Sequence, residues 1–100
     1  MEQLGTCLDT VITIDCAWIS GHNDKVLFGK TWLDCKEACC EDSKCKSFDF
    51  AIVEGKCQIS YVSKTDKPDA FVSKPFCSLN PISYTEIGSI ITLLFYHCPV

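Results

Sequence analysis

One hundred residues make one small domain, whose core is marginal without reinforcement. Nine cysteines supply that reinforcement and set the chain apart from an ordinary cytosolic protein, where so many thiols would need metal or redox chemistry. The formal charge is −4 and every cation is a lysine, so with no arginine and no basic block nucleic acid is not an expected partner.

At the N-terminus, Met1-Glu2-Gln3-Leu4 lacks a basic stretch, and no apolar run of about seven residues follows before Asp9. It does not read as a secretory leader. Cysteine usage nevertheless points to an oxidising, extracellular compartment, so the chain is expected to be a mature fragment or a module of a longer protein. Neither Asn23 nor Asn80 sits in an N-x-[ST] sequon, and N-glycosylation is not expected.

Between residues 7 and 16, Val11, Ile12 and Ile14 suit a strand. Ser20-Gly21-His22-Asn23-Asp24 follows as a polar loop, and Lys25-Val26-Leu27-Phe28 as a short strand closed by Gly29. Thr31-Trp32-Leu33-Asp34 then opens a helix, with a hydroxyl cap three residues ahead of a carboxylate. Asp34 and Glu37 suit the positive end of that helix, whereas Glu41 comes too late to help. At roughly 100° per residue, Trp32, Cys35, Ala38 and Cys39 share one face, and Cys40 turns away beside Leu33 and Lys36. Phe48, Phe50 and Ile52 alternate with Ser47, Asp49 and Ala51, the pattern of a half-buried strand. After Glu54-Gly55 the alternation resumes with Cys57, Ile59 and Tyr61, so a hairpin is predicted. Residues 63–69 form a polar loop, and Ala70-Phe71-Val72-Ser73 a further strand. Leu79-Asn80-Pro81 reads as a boundary, giving a domain over residues 1–80 and an apolar extension over 81–100. The extension is too short in uninterrupted apolar residues to span a membrane and is expected to add a strand or a subunit contact.

The block Cys35-x3-Cys39-x5-Cys45-x11-Cys57 carries the most information. Two cysteines one turn apart on a helix face reach a sheet more comfortably than each other. Cys45, just past the helix end, is the nearest partner for Cys39, and Cys35 can reach Cys57 on the hairpin.

Asp34-Cys35-Lys36-Glu37-Ala38-Cys39, Cys45-Lys46-Ser47-Phe48-Asp49-Phe50 and Gly55-Lys56-Cys57-Gln58-Ile59-Ser60 together resemble the core of a PAN/apple domain. The similarity is strongest over residues 24–62 and weaker across 7–77. It implies an α+β fold in which a single helix packs on a curved antiparallel β-sheet, stapled by Cys35–Cys57 and Cys39–Cys45. Apple-type members add a bridge between the terminal strands, for which Cys77 matches one position and either Cys7 or Cys16 the other. The expected outer pairs are Cys16–Cys77 and Cys7–Cys98. That leaves Cys40, off the buried face, as the unpaired or interchain sulfur of an odd set.

Zinc favours matched close ligand pairs, and C-x3-C-x5-C has neither a second pair nor a nearby histidine; His22 and the His97-Cys98 pair lie elsewhere. No metal or cofactor is expected. No nucleophile elbow, phosphate loop or dinucleotide fingerprint is present, and Glu41-Asp42 reads as solvation of a helix end, so no catalysis is expected. Among the aromatics, Trp32 belongs to the helix face bearing the cysteines and Tyr61 to the hairpin. Trp18 and the adjoining loop residues His22, Asn23 and Asp24 are the ligand-contact candidates. The resemblance implies a secreted, non-catalytic module that binds an extracellular protein or glycan, as relatives do on adhesive, protease and matrix proteins. The alternative is a structural subunit of a homo-oligomer or filament, built through Cys40 and the apolar tail.

Overall fold

The computed structural model describes residues 11–88. The predicted hairpin forms around Glu54-Gly55, joining β4 (Ser47–Ala51) to β5 (Lys56–Ser60) with Phe48 opposite Ile59 and Phe50 opposite Cys57. Gly55 takes φ +60° where the tip closes on the chain at Lys30. A Cβ there would meet the Lys30 carbonyl oxygen at 3.1 Å, so glycine is required both for the turn and for the approach. β3 (Lys25–Leu27) flanks β5, while β7 (Ile82–Ile87) and then β1 (Val11–Asp15) extend the other side, giving an antiparallel sheet of order β1-β7-β4-β5-β3.

The helix α1 (Trp32–Glu41) starts at its predicted cap. Asp34 N–H donates to Thr31 Oγ1 and Thr31 N–H to the Asp34 carboxylate, each at 3.1 Å. These two bonds satisfy amides that the first helical turn leaves without partners. Its buried face, Cys35 and Cys39, covers Phe48, Phe50, Cys57 and Ile59. Trp32 tilts onto Phe48 with ring centroids 5.9 Å apart and donates its indole N–H to Thr85 Oγ1 at 3.2 Å. Lys36 is buried in the same layer with its ammonium 5.2 Å from the Trp32 ring.

A second layer covers the opposite face. β2 (Ala17–Ile19) pairs with β6 (Phe71–Ser73), which follows a short 3-10 turn at Pro68–Ala70. Ala17 and Ile19 from this ribbon pack on Tyr84 of β7, and Phe71 meets the Tyr84 ring edge-on at 5.2 Å. The strand β4 is consequently not half-buried as its alternation suggested. Ser47 and Asp49, on its polar side, are fully enclosed beneath the ribbon. The strand expected from the first apolar run forms as β1. Cys16 adopts φ +57° and turns the chain from β1 into β2, carrying it to the other layer.

The boundary expected at residues 80–81 falls inside the sheet, because β7 lies between β1 and β4 and hydrogen-bonds to both. The remainder of the expected extension lies outside the described residues.

Three disulfides with both sulfurs among the described residues tie these layers. Cys35–Cys57, with Cα atoms 5.6 Å apart, and Cys39–Cys45, at 5.2 Å, anchor the helix. Cys16–Cys77, at 5.5 Å, joins the β1–β2 corner to the segment after β6. Cys40 is itself disulfide-bonded, which corrects the expectation that it is the sulfur left over. Its position off the helix–sheet face, the ground for that expectation, only removes it from the sheet and leaves it open to another sulfur. The expected Cys7–Cys98 pair lies outside the described residues.

Candidate ligand-binding cleft

The ribbon helps to frame an open recess in the surface. Along β2, Ala17 and Ile19 point into the core, so the intervening Trp18 must point out. Trp18 forms one wall of an open cleft of about 680 Å³. The chain beyond β6 supplies the opposite rim. It is anchored at Cys77 by the bridge to Cys16, turned by a bond from Asn80 N–H to the Cys77 carbonyl at 3.1 Å, and docked on the hairpin by Ile52 N–H to the Pro81 carbonyl at 3.2 Å. The floor comes from Gln58 of β5, the end from Val53 and Glu54 of the hairpin turn, and the near side from Ser20, Gly21 and Asn23 of the loop after β2.

The chemistry of the lining is mixed but weakly charged. Phe76 and Leu79 are 85% and 90% exposed, and Val53 is 70% exposed. Side chains this apolar and this open are what a partner surface would cover. Only Lys74 and Glu54 bring charge. Lys74 places its ammonium 5.8 Å from the Trp18 ring centroid, while Glu54 pairs with Lys56 at 3.4 Å.

Of the residues singled out from sequence, Trp18 and Asn23 meet at this cleft. His22 is half-buried in the same loop but does not line it. Asp24 serves the sheet instead. Its carboxylate accepts from Tyr61 N–H at 2.8 Å, and its own amide donates to the Ile59 carbonyl at 2.8 Å. Tyr61 is likewise structural, donating its hydroxyl to Asp42 at 2.9 Å. Asp42 also holds the Lys25 ammonium at 2.9 Å, and thus fastens the helix end to β3 and β5. The bond from Lys25, then those from Lys44 N–H and Tyr61, lower the Asp42 carboxyl to about 2. Lys74, Phe76 and Leu79 were not anticipated, because they lie in irregular chain where no periodicity marks a face.

Asp49 also escaped the sequence reading. Both its carboxylate oxygens accept from the Ile19 N–H, at 3.2 and 3.1 Å, in the layer directly behind the cleft wall. Burial raises this carboxyl to about 7, with the Ile19 bond opposing the rise. Tyr84 nearby is raised by burial and by its bond to Glu86 at 2.7 Å.

Among the described residues no helix is long and apolar enough to cross a membrane, and no three His, Cys, Asp or Glu side chains cluster as metal ligands would. Comparison with curated proteins found no match. The family model described as PAN domain matches residues 7–85, spanning both layers of the fold and the chain that frames the cleft. Such domains are in general non-catalytic modules for protein or carbohydrate binding, and the three disulfides fit an extracellular domain. A match over most of the chain, on a helix laid across an antiparallel sheet and pinned there by Cys35–Cys57 and Cys39–Cys45, means that this chain belongs to the PAN domain family.

Proposed function

We propose that the chain is a secreted, non-catalytic recognition module that binds a protein ligand at the cleft beside Trp18. The observation that carries this reading is the chemistry of the rim. Phe76, Leu79 and Val53 stand open to solvent around a recess with only two charged side chains. Protein interfaces concentrate aromatic and aliphatic groups at their centre and exclude charge from it. A sugar ring needs a bare aromatic face to stack on, whereas the Trp18 ring carries the Lys74 ammonium. That contact favours a protein over a glycan. Asn23, Gln58 and Asn80 provide uncharged donors and acceptors that fix the orientation of a bound segment. The alternative of a covalently self-assembling subunit drew on a spare thiol at Cys40, and that sulfur is already engaged.

Arrays of extracellular protein domains and of glycans, probed with the wild type and with Trp18→Ala and Phe76→Ser, test the proposal. Phe76 is so exposed that its replacement leaves the core intact. The expected result is a protein ligand whose affinity falls on the order of tenfold or more with each substitution, as for a residue at the centre of an interface. Binding to glycans alone, unaffected by Phe76→Ser, would overturn the choice of ligand. Silence on both arrays would overturn the reading altogether.

A further inference from the structure

Among the described residues the ion pairs are Lys25–Asp42, Lys46–Asp66 and Lys56–Glu54, so of the two charges at the cleft Glu54 is answered and Lys74 is not. What stands beside the Lys74 ammonium is the Trp18 ring, with its centroid at 5.8 Å. A ring face attracts the charge without offering an oxygen to its three N–H donors. The position is also braced. Lys74 N–H donates to the Cys16 carbonyl at 2.8 Å, Cys77 is bridged to the same Cys16, and Pro75 between them fixes its own φ. Lys74 and Phe76, the latter 85% exposed, are thus presented from a segment tied at both ends. A partner lying over Trp18 and Phe76 cannot avoid the Lys74 ammonium. Withdrawn from water with no counter-charge, that ammonium is costly; met by a carboxylate, it forms a charge-assisted bond. A wholly apolar occupant is disfavoured on this ground, and a basic one more strongly.

We propose that the cleft selects a largely apolar segment of a partner protein that carries one Asp or Glu side chain, its carboxylate meeting Lys74 while its apolar neighbours cover Phe76 and Leu79. The inference deepens the binding reading above and rests on it.

A single lysine is a point charge without the planar fork that grips phosphate at two oxygens, so one carboxylate is its natural counterpart. A chain terminus is captured by backbone N–H groups turned to one point, and the Lys74 N–H is already engaged by Cys16. The carboxylate is therefore that of a side chain. The chain as a whole carries −4, which opposes a strongly acidic partner at long range. Selection accordingly falls on one carboxylate among apolar side chains rather than on an acidic run.

The test uses the full-length chain and an array of short, amidated synthetic peptides. Apolar residues flank one position that holds Asp, Glu, Asn, Gln or Lys, and a separate arm carries the Asn peptides with a free C-terminus. The Asp and Glu peptides should bind on the order of tenfold or more tighter than their Asn and Gln counterparts, with the Lys peptides weakest. Lys74→Gln should erase that preference, and Lys74→Glu should reverse it in favour of the Lys peptides, which a merely structural role for Lys74 would not do. Lys64→Gln removes a lysine that lies 5.6 Å from the Phe71 ring, outside the cleft, and should leave the preference intact. Both lysines are exposed, so these variants keep the fold. Equal binding of acids and amides, or an acid preference that survives Lys74→Glu, overturns the inference. If such binding is still lost in Phe76→Ser, the cleft reading stands without it. A free C-terminus that replaces the Asp side chain in full overturns the assignment to a side chain. Silence from every peptide also overturns the inference, as does Lys74-dependent capture of acidic glycans in their place, and the binding reading is then decided by the domain and glycan arrays.

Discussion

Removing Cys16–Cys77 should destabilise the fold more than removing Cys39–Cys45, although the second pair is more deeply buried. The bridges close stretches separated by 61 and 6 residues. If a bridge acts mainly on the unfolded chain, those separations correspond to about 4 and about 2 kcal/mol of lost loop-closure entropy. Against a total stability of about 5–15 kcal/mol for a domain, the larger loss is severe. A second variant separates the covalent effect from the backbone. Cys16 is held at φ +57°, a left-handed geometry that disfavours residues bearing a Cβ by roughly 1–2 kcal/mol. Cys16→Gly/Cys77→Ala should therefore recover about 1 kcal/mol relative to Cys16→Ala/Cys77→Ala. Urea unfolding followed by far-UV circular dichroism without reductant gives the ranking, and the denaturant slope should rise as the uncrosslinked chain exposes more surface. Equal losses for the two bridges, or a glycine variant weaker than its alanine counterpart, would refute the reasoning.

Asp49 also governs global stability: its folded value of about 7 lies above its usual 3.8, so the folded state binds the extra proton. Stability is then greatest below about 4 and declines as pH rises through 7, by up to roughly 4 kcal/mol, and in Asp49→Asn urea midpoints should lose that slope. Asp42 behaves oppositely, because its value falls to about 2: its contribution is present above its usual 3.8 and lost as pH drops through 2. Acid titration of Asp42→Asn should show a flatter limb in that window than the wild type. Thr31→Ala removes the acceptor of the Asp34 N–H bond but keeps the Thr31 backbone N–H, and should lower stability by about 1 kcal/mol in thermal melts, with unchanged disulfides. Ser60 Oγ is buried without a hydrogen-bond partner among the described residues, so Ser60→Ala should be neutral or stabilising by up to about 1 kcal/mol; a clear loss in Tm would show that a partner exists.

The elements that could be read in advance are those whose signals are local. The Thr31/Asp34 cap, the i,i+4 cysteines of one helix face and the glycine-closed hairpin each depend on residues within a few positions of one another. The same locality made Cys39–Cys45 and Cys35–Cys57 legible, since helix geometry and a short loop restrict where those sulfurs can go. Aromatic Trp18 beside a polar loop was likewise visible as a candidate contact.

What resisted the sequence were the features made by chain segments far apart. The alternation in β4 marks Ser47 and Asp49 as the face away from the helix, but not whether that face meets water. Only the docking of β2 and β6 buried it, and so turned an unremarkable strand aspartate into a group that titrates near neutral pH. Cys40 shows the same division. Its angle on the helix was readable, whereas its bonded state depended on what the rest of the chain brings to that side. The sequence by itself determined a disulfide-stapled helix on an antiparallel hairpin, because caps, turns and side-chain periodicity are short-range. The tertiary structure alone decided the second layer, the cleft that it frames and the buried carboxylate behind it. Burial and desolvation belong to the packed assembly of segments and to none of them separately.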